Sequence, residues 1–268
     1  MEGKLQNKVI IIIGGTAGIG LSAARACLAE GARVVTVGRD PDVAAAAQQT
    51  LGQDAFTFAG DAADPEIAPR AIRDAVERFG GFDGLYHVAG GSGRREGDGP
   101  LHQITNEGWR YTLDLNLTSI FYSNRAAAQH FVKKRTSGAI LNLGSILGEF
   151  PSPKYFATHA YAAAKAGVIG LMRSAAAYYA AQNIRFNVLV PALVDTPMSE
   201  RAVTDQEIIA FIKTKQPLGG GRVGETADLD AAAIFFLCDD SKFVTGQVLA
   251  VDGGWSVSEG QYELRNRS

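Results

Sequence analysis

The chain has 268 residues and a mass of 28.4 kDa, with 46% hydrophobic and 20% charged residues, so it can bury a large core and is not expected to be disordered. Its 26 Lys and Arg residues against 28 Asp and Glu give a net charge of -2, and no basic stripe interleaved with aromatic residues points to nucleic acid as a partner. The apolar runs are too short to span a membrane, and no secretory signal precedes the first strand. Cys27 and Cys238 alone make neither a disulfide framework nor a zinc site. We therefore expect a cytoplasmic protein.

The first half of the chain alternates between short β-branched runs and Ala-rich stretches with helical spacing. The pattern predicts strands over residues 8–13, 33–37, 55–58 and 83–88. It predicts helices between them over residues 21–30, 42–51 and 65–79. A long helix over residues 106–135 follows the fourth strand.

The second half continues the alternation with strands over residues 139–143, 185–190 and 247–251. Helices are predicted over residues 158–182, 205–213 and 226–237. Seven strands separated by helices indicate an α/β fold, a single-domain, Rossmann-like, doubly wound parallel sheet with helices on both faces. We expect one domain over residues 1–268, with a substrate loop near 192–221 and a short tail over 257–268.

The turn after the first strand is rich in glycine. It reads Gly14, Gly15, Thr16, Ala17, Gly18, Ile19 and Gly20. Glycines allow close backbone approach, and a helix starting here directs unpaired amides at a pyrophosphate. Alone the cluster is also compatible with an ordinary strand-to-helix turn, but its place after the first strand favours a dinucleotide site.

The end of the second strand bears on the choice of cofactor. Val37 is followed by Gly38, Arg39 and Asp40. An acidic group here accepts hydrogen bonds from ribose hydroxyls, whereas a cation neutralises a 2′-phosphate. Arg39 therefore favours NADP, and Asp40 keeps NAD as the alternative.

Tyr161 and Lys165 lie four residues apart on a predicted helix and so project from one face. Among the eight tyrosines, only Tyr161 is followed by lysine at the fourth position. An adjacent ammonium favours phenolate, so we expect Lys165 and a cationic nicotinamide together to lower the tyrosine pKa. The alternative is a surface pair on an Ala-rich helix.

Two further polar residues are candidates for the reaction. Ser145 falls just past the strand over residues 139–143, where its hydroxyl could donate to a substrate oxygen, although a turn or cap role is also open. Asn116 lies inside the long helix, where its propensity is mediocre. It has either a specific hydrogen-bonding role or a satisfied place in the core.

Together these motifs resemble the short-chain dehydrogenase/reductase family in its classical, single-domain form. The resemblance covers residues 5–256 and rests on the glycine turn, Asp61, the tetrad of Asn116, Ser145, Tyr161 and Lys165, the segment 191–198 and the closing residues 251–254. It implies that Asp61 and Ala62 flank the adenine, that Ala89 and Gly90 line the ribose side and that Lys165 binds the nicotinamide ribose. It also implies that Val190, Val194 and Thr196 contact the nicotinamide.

The sequence departs from the family pattern at three places. His87 and Val88 stand where the family usually has two asparagines, which removes an amide that braces the sheet. Ala192 replaces the usual glycine after Pro191 and narrows the allowed backbone there. The long connection over residues 147–158 makes the wall of the pocket particular to this protein.

The resulting prediction is an NADP(H)-dependent oxidoreductase that interconverts a ketone or aldehyde with an alcohol. In reduction Ser145 steadies the oxygen, Tyr161 supplies the proton, and Asn116 positions a relay water. The alternatives are an NAD(H)-dependent alcohol or sugar dehydrogenase of the same family, a non-catalytic nucleotide-sensing protein, and another Rossmann enzyme such as a methyltransferase. No metal is expected, because the four histidines lack metal-ligand spacing.

Two features concern partners. The helices over residues 106–135 and 158–182 carry small residues suited to subunit packing, and the resemblance implies a homotetramer. Arg94 and Arg95 stand in a Gly-rich loop after the fourth strand. They are a hypothetical site for an acidic group of the substrate or of its carrier, opposite a wall from residues 150–156 and 208–212. The alternative is that they pair with Glu96, Asp98 or another subunit.

Overall fold

A computed structural model describes residues 3–260 of the chain. Apolar β-branched runs form one sheet in which all neighbouring strands are parallel. The strands are β1 (Val9–Ile13), β2 (Arg33–Gly38), β3 (Ala55–Ala59), β4 (Gly84–His87), β5 (Gly138–Leu143), β6 (Ile184–Pro191) and β7 (Val248–Val251). Their order is β3-β2-β1-β4-β5-β6-β7. The predicted seven-stranded, Rossmann-like sheet is therefore confirmed.

Helices connect the strands. They are α1 (Gly18–Ala29), α2 (Pro41–Leu51), α3 (Ile67–Phe79), α4 (Asn106–Leu113), α5 (Ser119–Lys134), α6 (His159–Tyr179), α7 (Glu200–Thr204), α8 (Gln206–Lys215) and α9 (Asp230–Leu237). The direction of the sheet order reverses between β1 and β4, which in open α/β sheets opens a crevice for ligands at the carboxyl ends of the strands.

The core consists of two layers, one on each face of the sheet. Along β1, Ile11 and Ile13 belong to the layer that contains α3, α5 and α6 residues. Ile10 and Ile12 belong to the other layer, with residues of α1 and α9. Alternate residues of a strand point to opposite faces, so a strand covered on both faces must be apolar throughout. This burial on both faces explains why every residue of β1 is apolar.

The helical segments differ from the prediction in three places. The helix predicted over residues 106–135 contains a π-helical segment, Asp114–Thr118, between α4 and α5. The segment before residue 205 holds a helix, α7, that the sequence pattern did not indicate. The start of the helix predicted over 226–237 is a 3₁₀ turn, Thr226–Leu229, ahead of α9. Of the predicted tail over 257–268, residues 261–268 lie outside the described part.

Across residues 3–260, no helix has the length and apolar character that crossing a bilayer requires.

Candidate active site

The glycine turn lies at the carboxyl end of β1, in the middle of the sheet. Gly14 has φ +87°, and a Cβ there would lie 2.5 Å from the backbone nitrogen of Ala89. Only glycine allows this approach between the turns that follow β1 and β4. α1 begins at Gly18 behind Ala17, which provides no side-chain cap. The first amides of α1 are thus left to face a ligand, as a pyrophosphate site requires.

Other predicted cofactor residues surround this turn. A Cβ at Gly18 would lie 3.4 Å from the Thr196 methyl group, so the segment after β6 meets the start of α1. Ile19, Val194 and Thr196 line one cavity. Asp61 and Ala62 follow β3, the edge strand beside β2.

Two charged residues, Arg39 and Asp40, follow β2, and they have different surroundings. Arg39 is exposed directly after the strand. The Asp40 carboxylate accepts hydrogen bonds from the backbone nitrogens of Asp42, at 2.9 Å, and Val43, at 3.1 Å. Asp40 is therefore the N-cap of α2. Gly38, whose Cβ would collide with the Thr16 hydroxyl, is buried beneath them.

Tyr161 and Lys165 project from the first turns of α6 into the same buried region, with 9% and 2% of their surfaces exposed. The Lys165 Nζ atom lies 5.7 Å from the centre of the tyrosine ring. It donates a hydrogen bond of 2.8 Å to the Leu143 carbonyl at the end of β5. Burial lowers the pKa of Lys165 to about 8. The surface-pair alternative is excluded.

The pKa of Tyr161 differs from the expectation. Burial raises it above the ordinary value of 10, while the nearby Ser145 hydroxyl acts in the opposite direction. In this structure Tyr161 is therefore a protonated phenol at neutral pH.

Asn116 lies in the π-helical segment and is completely buried. Its amide nitrogen donates to the carbonyls of Gly91 and Thr112, both at 2.9 Å. Its Oδ1 accepts from the Gly91 nitrogen at 3.0 Å. Both amide hydrogens are thus used by backbone carbonyls, so this side chain fixes the loop after β4. π-Helical turns within α-helices are frequent at functional sites.

A Cβ at Gly90 would lie 2.8 Å from Asn116 Oδ1 and 3.5 Å from Lys165 Nζ. The predicted cofactor residue Gly90 therefore lies next to two members of the predicted tetrad, with no room for a side chain between them. A larger residue here would fill the space above the lysine.

Asp98 is a positioning residue that the sequence analysis missed. Its carboxylate is buried and accepts hydrogen bonds from the backbone nitrogens of Ala160 and Tyr161, both at 3.0 Å. A carboxylate at a helix N-terminus satisfies free amides and interacts favourably with the helix dipole. Asp98 thus fixes the first turn of α6 and, with it, Tyr161.

His87 stands where the family usually has an asparagine, and its ring provides the bracing contacts instead. It is fully buried, and its Nδ1 lies 2.7 Å from the Ser123 hydroxyl on α5. Its Nε2 lies 3.4 Å from the Ser119 hydroxyl. Burial, reinforced by the positive charge of Lys165, lowers the pKa of His87 to about 3. A neutral imidazole therefore links the sheet to α5.

One cavity of about 180 Å³ is lined by both hydroxyl residues of the predicted tetrad. Ser145 and Tyr161 face it together with the aromatic side chains of Phe156 and Trp255. The Phe156 and Trp255 rings lie 6.0 Å apart, in edge contact. Of the other residues predicted for the wall, Ile208 and Ile212 belong to the buried core instead.

The two arginines predicted as a pair separate in the structure. Arg94 lines the cavity, whereas Arg95 is exposed and does not. The second arginine of the cavity is Arg201 on α7. No group of three or more His, Cys, Asp or Glu residues within 3–260 is placed to hold a metal ion.

Comparison with known proteins identifies relatives across almost the whole chain. A family model described as enoyl-(acyl carrier protein) reductase matches residues 14–256. The chain is 36% identical to 2-(S)-hydroxypropyl-CoM dehydrogenase 3 of Xanthobacter autotrophicus, over 95% of this chain and 98% of that protein. It is 34% identical to cis-4-hydroxycyclohexanecarboxylate dehydrogenase of Sinomonas cyclohexanicum, over 93% and 96%. A short-chain type dehydrogenase/reductase of Mycobacterium ulcerans has a similar structure, with a TM-score of 0.87 and 32% identity over 95% of this chain and 91% of that one.

Proposed function

The chain belongs to the short-chain dehydrogenase/reductase family and is an enzyme that acts on alcohol groups, and we propose that it interconverts a ketone or aldehyde with the corresponding alcohol, with NADP(H) as the preferred cofactor. One observation carries the proposal: the side chains of Ser145 and Tyr161 line the same cavity, and the nearby Ser145 hydroxyl acts to lower the pKa of the phenol. Two adjacent hydroxyl donors suit a carbonyl oxygen that gains negative charge as it is reduced.

The chain's own residues handle the proton. In reduction, the Ser145 hydroxyl donates a hydrogen bond to the substrate oxygen, and the Tyr161 phenol transfers its proton to that oxygen. The raised pKa of Tyr161 keeps this proton on the phenol at neutral pH before the reaction. In oxidation the same phenol must first lose its proton, which a positive charge in the cavity would favour.

The site fits a nicotinamide dinucleotide. Lys165 is buried, and no carboxylate oxygen of residues 3–260 lies within 4.0 Å of its Nζ. A buried ammonium of this kind requires polar partners, and ribose hydroxyls would provide them. When bound, the cofactor supplies or accepts the hydride.

The remaining residues would hold the rest of the cofactor. The pyrophosphate would lie against Gly14, Thr16, Gly18, Ile19 and Gly20. The adenine would lie beside Asp61 and Ala62, the ribose side beside Ala89 and Gly90, and the nicotinamide beside Val194 and Thr196. Asn116 supports this arrangement by fixing Gly91 next to Gly90. In this proposal residues 1–268 act as one domain whose substrate loop spans 192–221. A homotetramer stays a prediction of the family resemblance, and a cytoplasmic location stays a prediction from the composition and the cysteine content.

The preference for NADP rests on Arg39 and Asp40. Arg39 is exposed at the end of β2, where a 2′-phosphate needs a cation. The Asp40 Oδ1 atom accepts from two amides of α2, so this carboxylate caps the helix, and one of its oxygens is already used. NAD(H) is the second candidate cofactor.

A nucleotide-sensing protein without turnover is the competing function. A sensor needs the glycine turn but has no need for Ser145 and Tyr161 to face a cavity beside Lys165. The relative from Sinomonas cyclohexanicum is named for a substrate with both a hydroxyl and a carboxylate. Hydroxy acids and their keto forms therefore belong in the substrate panel.

The test is a panel of ketones, aldehydes and alcohols assayed with NADPH, NADH, NADP⁺ and NAD⁺ by nicotinamide absorbance. We expect turnover in both directions, with higher kcat/KM for the phosphorylated cofactor. Binding of NADPH without turnover of any compound would favour the sensor. Failure to bind either reduced cofactor would contradict the proposal altogether.

A further inference from the structure

Two arginines from separate segments converge on the cavity that holds Ser145 and Tyr161. Arg94 belongs to the short helix Arg94–Glu96 after β4, and Arg201 belongs to α7 after β6. Both line the cavity. Arg94 donates to the Tyr155 carbonyl at 3.1 Å, and Arg201 donates to the same oxygen at 3.3 Å. The two guanidinium groups therefore meet at one atom.

This arrangement brings two positive charges together without an acidic partner. Within residues 3–260, no carboxylate oxygen lies within 4.0 Å of either guanidinium. The Asp98 carboxylate attracts Arg94, but both of its oxygens already accept hydrogen bonds from the start of α6. Arg94 is half-buried, and the positive charge of Arg201 adds to its desolvation in lowering its pKa.

A carbonyl oxygen carries only a partial negative charge, so Tyr155 does not neutralise two guanidinium groups. Each guanidinium offers five N–H donors in a planar fork that matches an oxyanion. Two arginines that share one neutral acceptor at the wall of a cavity therefore leave donors and charge available for a ligand.

On the basis of the proposed function, we infer that Arg94 and Arg201 bind an oxyanion carried by the substrate itself, so that the substrate class is a small keto acid or hydroxy acid. The cavity of about 180 Å³ is smaller than the roughly 300 to 1,000 Å³ of typical ligand pockets. This size favours a compact acid over a bulky one. Ser145 and Tyr161 would receive its carbonyl oxygen, and the arginines its acid group.

The experiment compares acids with neutral compounds of the same shape. The probes are 4-oxopentanoate and 4-oxocyclohexanecarboxylate, each paired with its primary amide, and kcat/KM is measured with NADPH. We expect the wild-type enzyme to prefer the acids by about 10-fold or more. Arg94→Met and Arg201→Met should each lower kcat/KM for the acids by about 10- to 100-fold, the value of a charged hydrogen bond. For the amides kcat/KM should fall by less than for the acids, because a neutral amide forms no ion pair with a guanidinium, and urea unfolding shows that both variants fold.

Arg95→Met is the matched control, because it removes the same charge from the same loop outside the cavity. We expect it to leave the preference for acids unchanged, whereas Arg201→Lys should keep part of it. Equal kcat/KM for acids and amides in the wild-type enzyme would overturn the anion site. So would an equal effect of Arg95→Met and Arg201→Met.

Calorimetry with the NADP⁺-loaded enzyme separates this inference from the proposed function. Binding of the acids but not the amides, lost in Arg201→Met, supports the anion site even where no ketone is turned over. Turnover of neutral ketones alone, without acid-selective binding, overturns the anion site and leaves the dehydrogenase function standing. Absence of acid-selective binding and of all turnover overturns both.

Discussion

The side-chain amide of Asn116 is bonded to Gly91 in both directions, accepting from its nitrogen at 3.0 Å and donating to its carbonyl at 2.9 Å. This reciprocal pair joins the π-helical segment between α4 and α5 to the loop after β4. It thereby fixes Gly90, which borders Asn116 and Lys165. The backbone that should face the cofactor is therefore held by a side chain 25 residues away.

Asn116→Ala should loosen that backbone. The substitution leaves the nitrogen and carbonyl of Gly91 without this partner, so we expect the free energy of unfolding to fall by about 1 to 3 kcal/mol. The affinity for NADPH should fall as well, because Gly90 loses its fixed position. Urea unfolding and NADPH fluorescence titration measure the two effects. Thr118→Ala, in the same segment but bonded to an exposed aspartate, is the control and should change neither.

Tyr161→Phe should abolish turnover while preserving the site. It removes only the hydroxyl that donates the proton, so we expect kcat to fall by about 10² to 10⁴. The dissociation constant for NADPH should stay within about 3-fold of the wild-type value. Tyr178→Phe, on the same helix but 72% exposed, should retain full activity. Wild-type kcat in Tyr161→Phe would rule out the phenol as the proton donor.

The sheet could be predicted from sequence because its signals are local. A strand buried on both faces, such as β1, must be apolar at every position, and Ala-rich helices between such strands lead to a parallel sheet. The candidate residues Asn116, Ser145, Tyr161 and Lys165 were recognised by their order in the family pattern, and their catalytic roles stay a prediction. Ser145 follows β5, whereas the other three lie on helical segments between strands.

What sequence could not supply are contacts between distant segments. Asp98 fixes the start of α6 from 62 residues away, and no local pattern distinguishes it from a loop aspartate. Arg94 shares the wall of the cavity with Arg201 and not with Arg95, because adjacent residues of a short helix point in different directions. The pKa of Tyr161 was expected to fall, but burial of the phenol in the folded protein raises it.

Arg39→Ala should distinguish the two cofactors. Loss of a charged contact to the 2′-phosphate should weaken NADPH binding by roughly 1.5 to 3 kcal/mol, about 10- to 100-fold, and leave NADH nearly unchanged. Asp40→Ser is the matched test of the alternative, because serine keeps the cap of α2 and removes the carboxylate. We expect no change in NADH affinity, and a large loss there would instead assign Asp40 to the ribose.

The buried imidazole of His87 predicts an acid-dependent loss of stability. Its pKa in the folded protein is about 3, below the ordinary value of 6.5. Between these values the unfolded chain binds a proton that the folded chain refuses, so the free energy of unfolding falls as the pH falls through this window. Between pH 7 and pH 4.5 we expect His87 to account for about 2 to 3 kcal/mol of that fall.

His87→Asn removes the titrating group and restores the amide usual in the family, so its free energy of unfolding should fall less steeply over the same pH range. The comparison uses the difference between two pH values for each protein, measured by urea unfolding, so a constant effect of the substitution on packing cancels. His102→Asn, at an exposed position, should keep the wild-type pH dependence. If the free energy of unfolding falls equally steeply in His87→Asn and in the wild type, the histidine is protonated in the folded protein. That result would contradict the neutral imidazole that this structure places near Lys165.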